Sequence, residues 1–279
     1  MRVLRVLLLA ILSAVVAASV AYFVAVRPKI RSWGLDPQEA ELPLPGDDLI
    51  VEPNATETRG LTIDAPVAKV WPWLVQMGFG RAGWCSYDTM GGKGKTVDAI
   101  LPEFQSLEPG DVVPVSPSGG FEVKAVEFER ALVLYTDTEL VRSQADKATE
   151  KAEAEGTSVE PTPAAPKVGG MMMGASYPEF AASWAFFLKP TDDGKTRLIE
   201  RFRAKTPGNA PANVVLGEIM GTGIVLMARK QMLGIKERVE RPIDAVEETT
   251  DQPTGSHEPQ IDIPQLIGTD TPNEPSFAG

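Results

Sequence analysis

Residues 6 to 26, VLLLAILSAVVAASVAYFVAV, carry no charged side chain, and at about 1.5 Å per helical residue they can cross a bilayer core of about 30 Å. A chain with such a run divides into a segment that lipid can solvate and a remainder that must fold in water. A secretory signal is the competing reading, with Ser19-Val20-Ala21 as a cleavage site. Signal cores are about 7 to 15 residues long, whereas this apolar run continues past that site through Tyr22, Phe23 and Val26. We therefore expect a short tail over residues 1–5, an uncleaved transmembrane helix over 6–26, and a single-pass protein of the cell membrane. Arg2, Arg5 and the amino terminus precede the span, while Arg27, Lys29 and Arg31 follow it. Under the positive-inside rule the two sides balance, and the expectation adopted is a soluble domain on the cytoplasmic side.

The net charge of −11 is unevenly placed: residues 240–279 hold −8 and residues 137–166 hold −4, leaving +1 for all the rest. A near-neutral body without a clustered basic face argues against nucleic acid as a partner, because phosphate binding needs such a face. The single Cys excludes an internal disulfide framework and cysteine-based zinc clusters. The single His, His257, stands in a Pro- and Asp-rich tail, which argues against nucleophile systems and metal sites that need a rigidly held imidazole. No cofactor or metal is expected, and protein partners are left unassigned.

Between the span and the tail, the pattern predicts one domain. Residues 27–57, with Trp33-Gly34, Pro45-Gly46 and Asp47-Asp48, read as an ordered, irregular connector. Thr58 to Ile63 reads as a strand. Val67, Val70, Trp71, Leu74 and Met77 then recur on one face of a helix. A short helical or irregular segment, Trp84 to Met90, is followed by strands at Gly110–Val115, Phe121–Phe128 and Ala131–Thr136. Residues 137–175, rich in Ala, Glu, Lys, Pro and Gly, predict a disordered or partly helical insertion. Strands resume at Ala181–Leu188 and Thr196–Thr206, and a helix from Pro211 to Glu240 follows, before an acidic disordered tail over 241–279. Val214 to Ala228 is too short, and Glu218 too central, for a second span.

Gly78-Phe79-Gly80-Arg81-Ala82-Gly83 matches G-x-G-x-x-G. A dinucleotide site needs those glycines after a strand and at the start of a helix, and here they follow a helix, so they are read as a turn. Around that turn Trp71, Trp84, Tyr87 and Asp88 are close in sequence, and either core packing or an aromatic-lined ligand cavity accounts for them. Strand alternation puts Trp184, Phe186 and Leu188 on one face, and Leu198, Glu200 and Phe202 on one face of the next strand. Glu200 is then a carboxylate among apolar neighbours. It either orients or protonates a ligand, or is satisfied by an arginine on a neighbouring element. Asp88 and Glu103 could supply a second carboxylate, although no fixed spacing links either to Glu200.

Several stretches carry a family resemblance: Trp33-Gly34 with Leu44-Pro45-Gly46-Asp47, TIDAPVAKVWPWLVQMGFGRAGWCSYD from Thr62 to Asp88, LPEFQSLEPGDVV from Leu101 to Val113, SWAFFLKP from Ser183 to Pro190, and RKQMLGIKERVE from Arg229 to Glu240. Together they resemble a membrane-anchored branch of the START-like SRPBCC superfamily, also described as polyketide cyclase/dehydrase-like and lipid-transport-like. The pattern is departed from at Cys85 and Phe104, where an aromatic residue and a tryptophan would be expected. The resemblance implies an α+β helix-grip fold over residues 58–240, a curved antiparallel sheet around a long C-terminal helix, with a hydrophobic ligand cavity and no particular reaction. The expected ligand-binding residues are Trp71, Trp84, Tyr87, Asp88, Trp184, Phe186, Glu200 and Phe202. The expected function is a membrane-anchored binding protein for a lipid or other hydrophobic small molecule. Two alternatives are a metal-free cyclase or dehydratase working by carboxylate and tyrosine acid/base chemistry, and a membrane-proximal scaffold acting through its acidic tail.

Overall fold

The computed structural model describes residues 2–87, 96–156, 179–206 and 211–241, with residues 211–222 described through their helical backbone. Asp88, the later part of the expected insertion and the expected acidic tail from 242 onward lie outside the described residues. The apolar run forms α1 (Arg2–Ala21), which continues through a π-helical turn, Tyr22–Val26, into α2 (Arg27–Arg31). Pro28 removes the amide that would bond back to residue 24, and the widened turn lies where that ladder is broken. Val3–Arg31 is a single helix long and apolar enough to cross a membrane, and its apolar stretch is wholly unburied.

Six strands form one antiparallel sheet in the order β1-β6-β5-β4-β3-β2. They are β1 (Ala55–Ile63), β2 (Val112–Ser116), β3 (Gly119–Glu127), β4 (Ala131–Asp137), β5 (Ala181–Pro190) and β6 (Thr196–Lys205). The hairpin loop between β5 and β6 joins the two long central strands, and β1 returns to pair with β6 from Ala55↔Ala204 to Ile63↔Thr196. The long helix α6 (Pro211–Val239) covers one face, burying Val225, Ala228, Met232 and Ile235. At Gly234 it comes so close to the Cys85 carbonyl that an added Cβ would sit 2.1 Å from that oxygen. The helix α4 (Val67–Val75) packs beside it, with Trp71, Trp73 and Leu74 in the same core. This is the expected α+β helix-grip arrangement behind an apolar N-terminal helix.

The connector, which includes the short helix α3 (Pro37–Ala40), forms the back wall of the sheet. Gly60 donates its amide to the Trp33 carbonyl at 3.1 Å, Leu44 and Ile50 are buried, and Gly46, at φ 88°, lies against Val133 where a side chain would collide. A row of ion pairs fixes it there: Arg197 Nη2 to Glu39 at 2.6 Å, Arg201 Nη1 to Asp47 at 2.6 Å and Arg203 Nη1 to Asp47 at 3.0 Å. The alternation that sends Leu198, Glu200 and Phe202 inward sends these three arginines outward.

Of the two readings of 137–175, disordered or partly helical, the first part follows the helical one: α5 (Thr138–Ala154) follows β4 without a break. Asp137 caps it, its Oδ1 accepting the Leu140 amide at 2.8 Å, and Ala, Glu, Lys and Gln are strong helix formers. The signal was weak because its inward face is built from alanines, with Ala152 buried, instead of large apolar side chains. Gln144 ties the helix to the sheet by accepting the Gly120 amide at 2.7 Å. Asp137→Ala is expected to cost about 1 kcal/mol, read as faster hydrogen exchange at the Leu140 amide; unchanged exchange would remove the cap from the account.

Candidate functional site

The face of the sheet beneath α6 is organised in rows of cross-strand neighbours. Toward the β5–β6 turn, Leu61, Leu198 and Leu188 form an apolar row. The next row runs Arg59, Glu200, Phe186, Leu132, and the one after it Glu57, Phe202, Trp184, Leu134. Ala55, Ala204, Ala182 and Thr136 then form a row of small side chains. Bulk thus decreases along this face toward one end.

Arg59 and Glu200 are both 0% exposed. Arg59 Nη1 donates to Glu200 Oε2 at 3.0 Å, Trp184 Nε1 donates to Glu200 Oε1 at 2.6 Å, and Arg59 Nη2 donates to Glu57. Arg31, the last residue of α2, lies 3.8 Å from the same Glu57 carboxylate. Both oxygens of Glu200 are therefore held by donors, and it matches the second of its two readings, a carboxylate satisfied by a neighbouring arginine. Each Glu200 oxygen thus accepts one buried donor, which orients the carboxylate toward Arg59 and Trp184. Burial pushes the Glu57 carboxyl above the usual range, against the opposing pull of Arg59 and Arg31.

Four aromatic rings meet over this network. Trp84 stacks on Trp184 with centroids 5.5 Å apart, while Phe121 and Phe186 approach Trp184 at 5.6 and 5.1 Å. Trp84, Trp184 and Phe121 are only partly buried, so the cluster is open on one side. Gly78 and Gly83 close the preceding loop by pairing with each other, and Arg81 braces it by donating to the Val75 and Phe104 carbonyls at 2.8 and 3.1 Å. The G-x-G-x-x-G stretch is accordingly a turn that presents Trp84.

The structure brings together Trp84, Trp184, Phe186, Glu200 and Phe202. Trp71 is buried on α4, with its ring 6.0 Å from Phe128 in the β3–β4 turn, and Tyr87 is 46% exposed. Neither ring joins the cluster among the described residues. The sequence reading missed Arg59, Glu57 and Thr136. Arg59 lies within the strand expected over Thr58–Ile63, where alternation from Leu61 and Ile63 places it on the inner face, and extending that strand to Ala55 adds Glu57. Thr136 is 7% exposed and its Oγ1 has no hydrogen-bond partner among the described residues.

On the opposite face of the sheet lies a shallow cleft of about 610 Å³, lined by residues that include Tyr135, Asp137, Arg142, Phe180 and Lys205. Burial and the Asp137 carboxylate, which accepts the Tyr135 hydroxyl at 2.9 Å, push the Tyr135 phenol up to about 12. That phenol stays protonated at neutral pH.

The fold and the inner-face geometry define an α+β helix-grip domain behind an N-terminal helix long enough to span a membrane. No family model matches the chain, and no curated protein matches it in sequence. Among solved structures, a protein from Mesorhizobium loti is 15% identical with a TM-score of 0.33, over 67% of this chain and 98% of its own. A conserved protein from Geobacillus kaustophilus is 14% identical with a TM-score of 0.33, over 66% of this chain and 95% of its own. A polyketide-cyclase-like protein from Corynebacterium glutamicum is 14% identical with a TM-score of 0.23, over 72% of this chain and 97% of its own.

Proposed function

We propose that the chain is a membrane-anchored member of the START-like SRPBCC superfamily that binds one apolar small molecule or lipid between the sheet and α6. The ligand lies over Ala182, Ala204 and Thr136, with Trp84, Trp184 and Phe202 as its wall. The observation that carries this reading is the inner-face gradient: a closed apolar row, a charge network with nearly all its hydrogen bonds made, and then a partly buried aromatic cluster beside a row of small side chains. Small-molecule sites are mostly apolar with a few orienting polar groups. Here the charged groups are occupied by one another, which leaves the Thr136 hydroxyl to orient a ligand through a single hydrogen bond. Val3–Arg31 holds the domain at the bilayer.

Thr136→Val tests this in the full chain. A buried hydroxyl without a partner costs about 1–3 kcal/mol, so an isosteric methyl raises the melting temperature of the ligand-free protein. If the hydroxyl holds the ligand, the same change lowers the amount of apolar material recovered by solvent extraction and mass spectrometry of the detergent-purified protein. A lower melting temperature with unchanged extract would assign Thr136 to packing alone and remove the hydroxyl from the site.

A further inference from the structure

We propose that the turn of α6 around Ile224 and Leu226 rests on the bilayer surface beside the anchor, so that the open end of the grip faces lipid. This deepens the function above and rests on its anchor. The argument begins with the register between α6 and β1. Lys236 Nζ donates to the Thr62 carbonyl at 2.7 Å, and the Glu240 side chain accepts the Asp64 amide. Four helix residues advance with two strand residues, about 6 Å in each case, so the helix and the strand run in the same direction.

From Thr62 back to Glu57 the strand recedes by about 16 Å, the length of about eleven helix residues. That brings the helix to the turn containing Ile224 and Leu226. Glu57 is where Arg31 ends the anchor helix, 3.8 Å away. The intervening level is marked by Trp33, whose ring lies 4.8 Å from the Arg229 guanidinium, one turn beyond Leu226. The same end of the sheet carries the small-residue row and the partly open aromatic cluster.

Ile224 is 37% and Leu226 55% exposed, in a helix whose residues 211–226 contain one charge, Glu218. Ile224 and Leu226 flank the buried Val225 on its two sides, and exposed apolar side chains at one turn have no favourable neighbour in water. In the interface beside the anchor this turn meets acyl chains, while Lys29 and Arg229 meet anionic headgroups and Trp33 takes the interfacial position that tryptophan favours. A ligand exchanged there passes between the bilayer and the aromatic cluster without crossing water.

The test uses the full chain in mixed phosphatidylcholine and phosphatidylglycerol vesicles, with a thiol-reactive fluorophore at Val15→Cys, Leu226→Cys or Asp192→Cys. Cys85 is buried, and the parent chain supplies the background. Lipids brominated at shallow acyl carbons should remove most of the emission at Leu226, lipids brominated deep in the chain should do so at Val15, and neither should change Asp192, in the distal β5–β6 turn. Quenching at Val15 with none at Leu226 overturns the proposal and leaves the anchor standing. Loss of Leu226 emission only as chain density rises means that a second copy covers this turn, which also overturns it. No quenching at Val15 would sink the anchor, and the proposal with it.

Discussion

Arg59→Ala will lower the unfolding free energy of the folded unit by about 3–5 kcal/mol, the cost of removing one partner from a buried ion pair. Arg59 is wholly enclosed and serves two carboxylates, Glu200 at 3.0 Å and Glu57 beside it. Without it both acids remain inside the protein with one fewer cation between them. Burial already pushes the Glu57 carboxyl up in the parent, and the variant loses the opposing pull of Arg59, so the folded variant retains a proton that the unfolded chain releases. Its stability is accordingly greatest in acid and falls as pH increases through the raised value, and the deficit against the parent is larger at pH 7 than at pH 5. Urea denaturation at the two pH values measures both effects. A deficit below about 1 kcal/mol, the range of solvent-exposed pairs, would mean that water reaches the network. Replacing the whole network with apolar residues of similar volume, Glu57→Leu, Arg59→Met and Glu200→Leu together, should restore most of the loss, because the desolvation of three charges disappears with them.

Phe186→Ala will cost about 3–5 kcal/mol, the range for truncating a fully buried aromatic residue. Phe186 is 0% exposed and lies between Glu200 and Leu132 in its cross-strand row, with its ring 5.1 Å from Trp184. The void left by the ring releases the Trp184 indole from one of its contacts and weakens the aim of its N–H at Glu200. Near-ultraviolet circular dichroism should therefore lose tryptophan intensity along with the stability. Phe187→Ala, one residue on and facing the opposite side of the sheet, should cost clearly less, because its ring is only partly buried beside Arg130. Equal losses at the two positions would contradict the assignment of faces on which the site is built.

Much of this was legible in the chain because it depends on local periodicity. The turn at Pro190–Gly194 and the alternation on either side of it fixed β5 and β6, and with them the inward directions of Trp184, Phe186, Glu200 and Phe202. The partner of Glu200 could be stated only as an arginine on a neighbouring element. Register between β1 and β6 is set by contacts more than a hundred residues apart, and neither strand alone says that Arg59 faces Glu200. Helix α5 was legible only as the partly helical alternative, because alanines pack against the sheet without producing an apolar period. Trp71 and Tyr87 were grouped with Trp84 by nearness in sequence; the folded loop turns Tyr87 to solvent and leaves Trp71 in the α4 core.

The central claim, an apolar ligand held over the small-residue row, is tested most directly by filling that row. Ala182 is 5% exposed on the inner face, between Ala204 and Thr136, and Ala182→Phe places a ring where the ligand would lie. Native mass spectrometry of the full chain released from detergent should show the parent carrying one apolar molecule per chain, and the folded variant carrying none. Equal occupancy in the two proteins, or no bound molecule in either, would contradict the account.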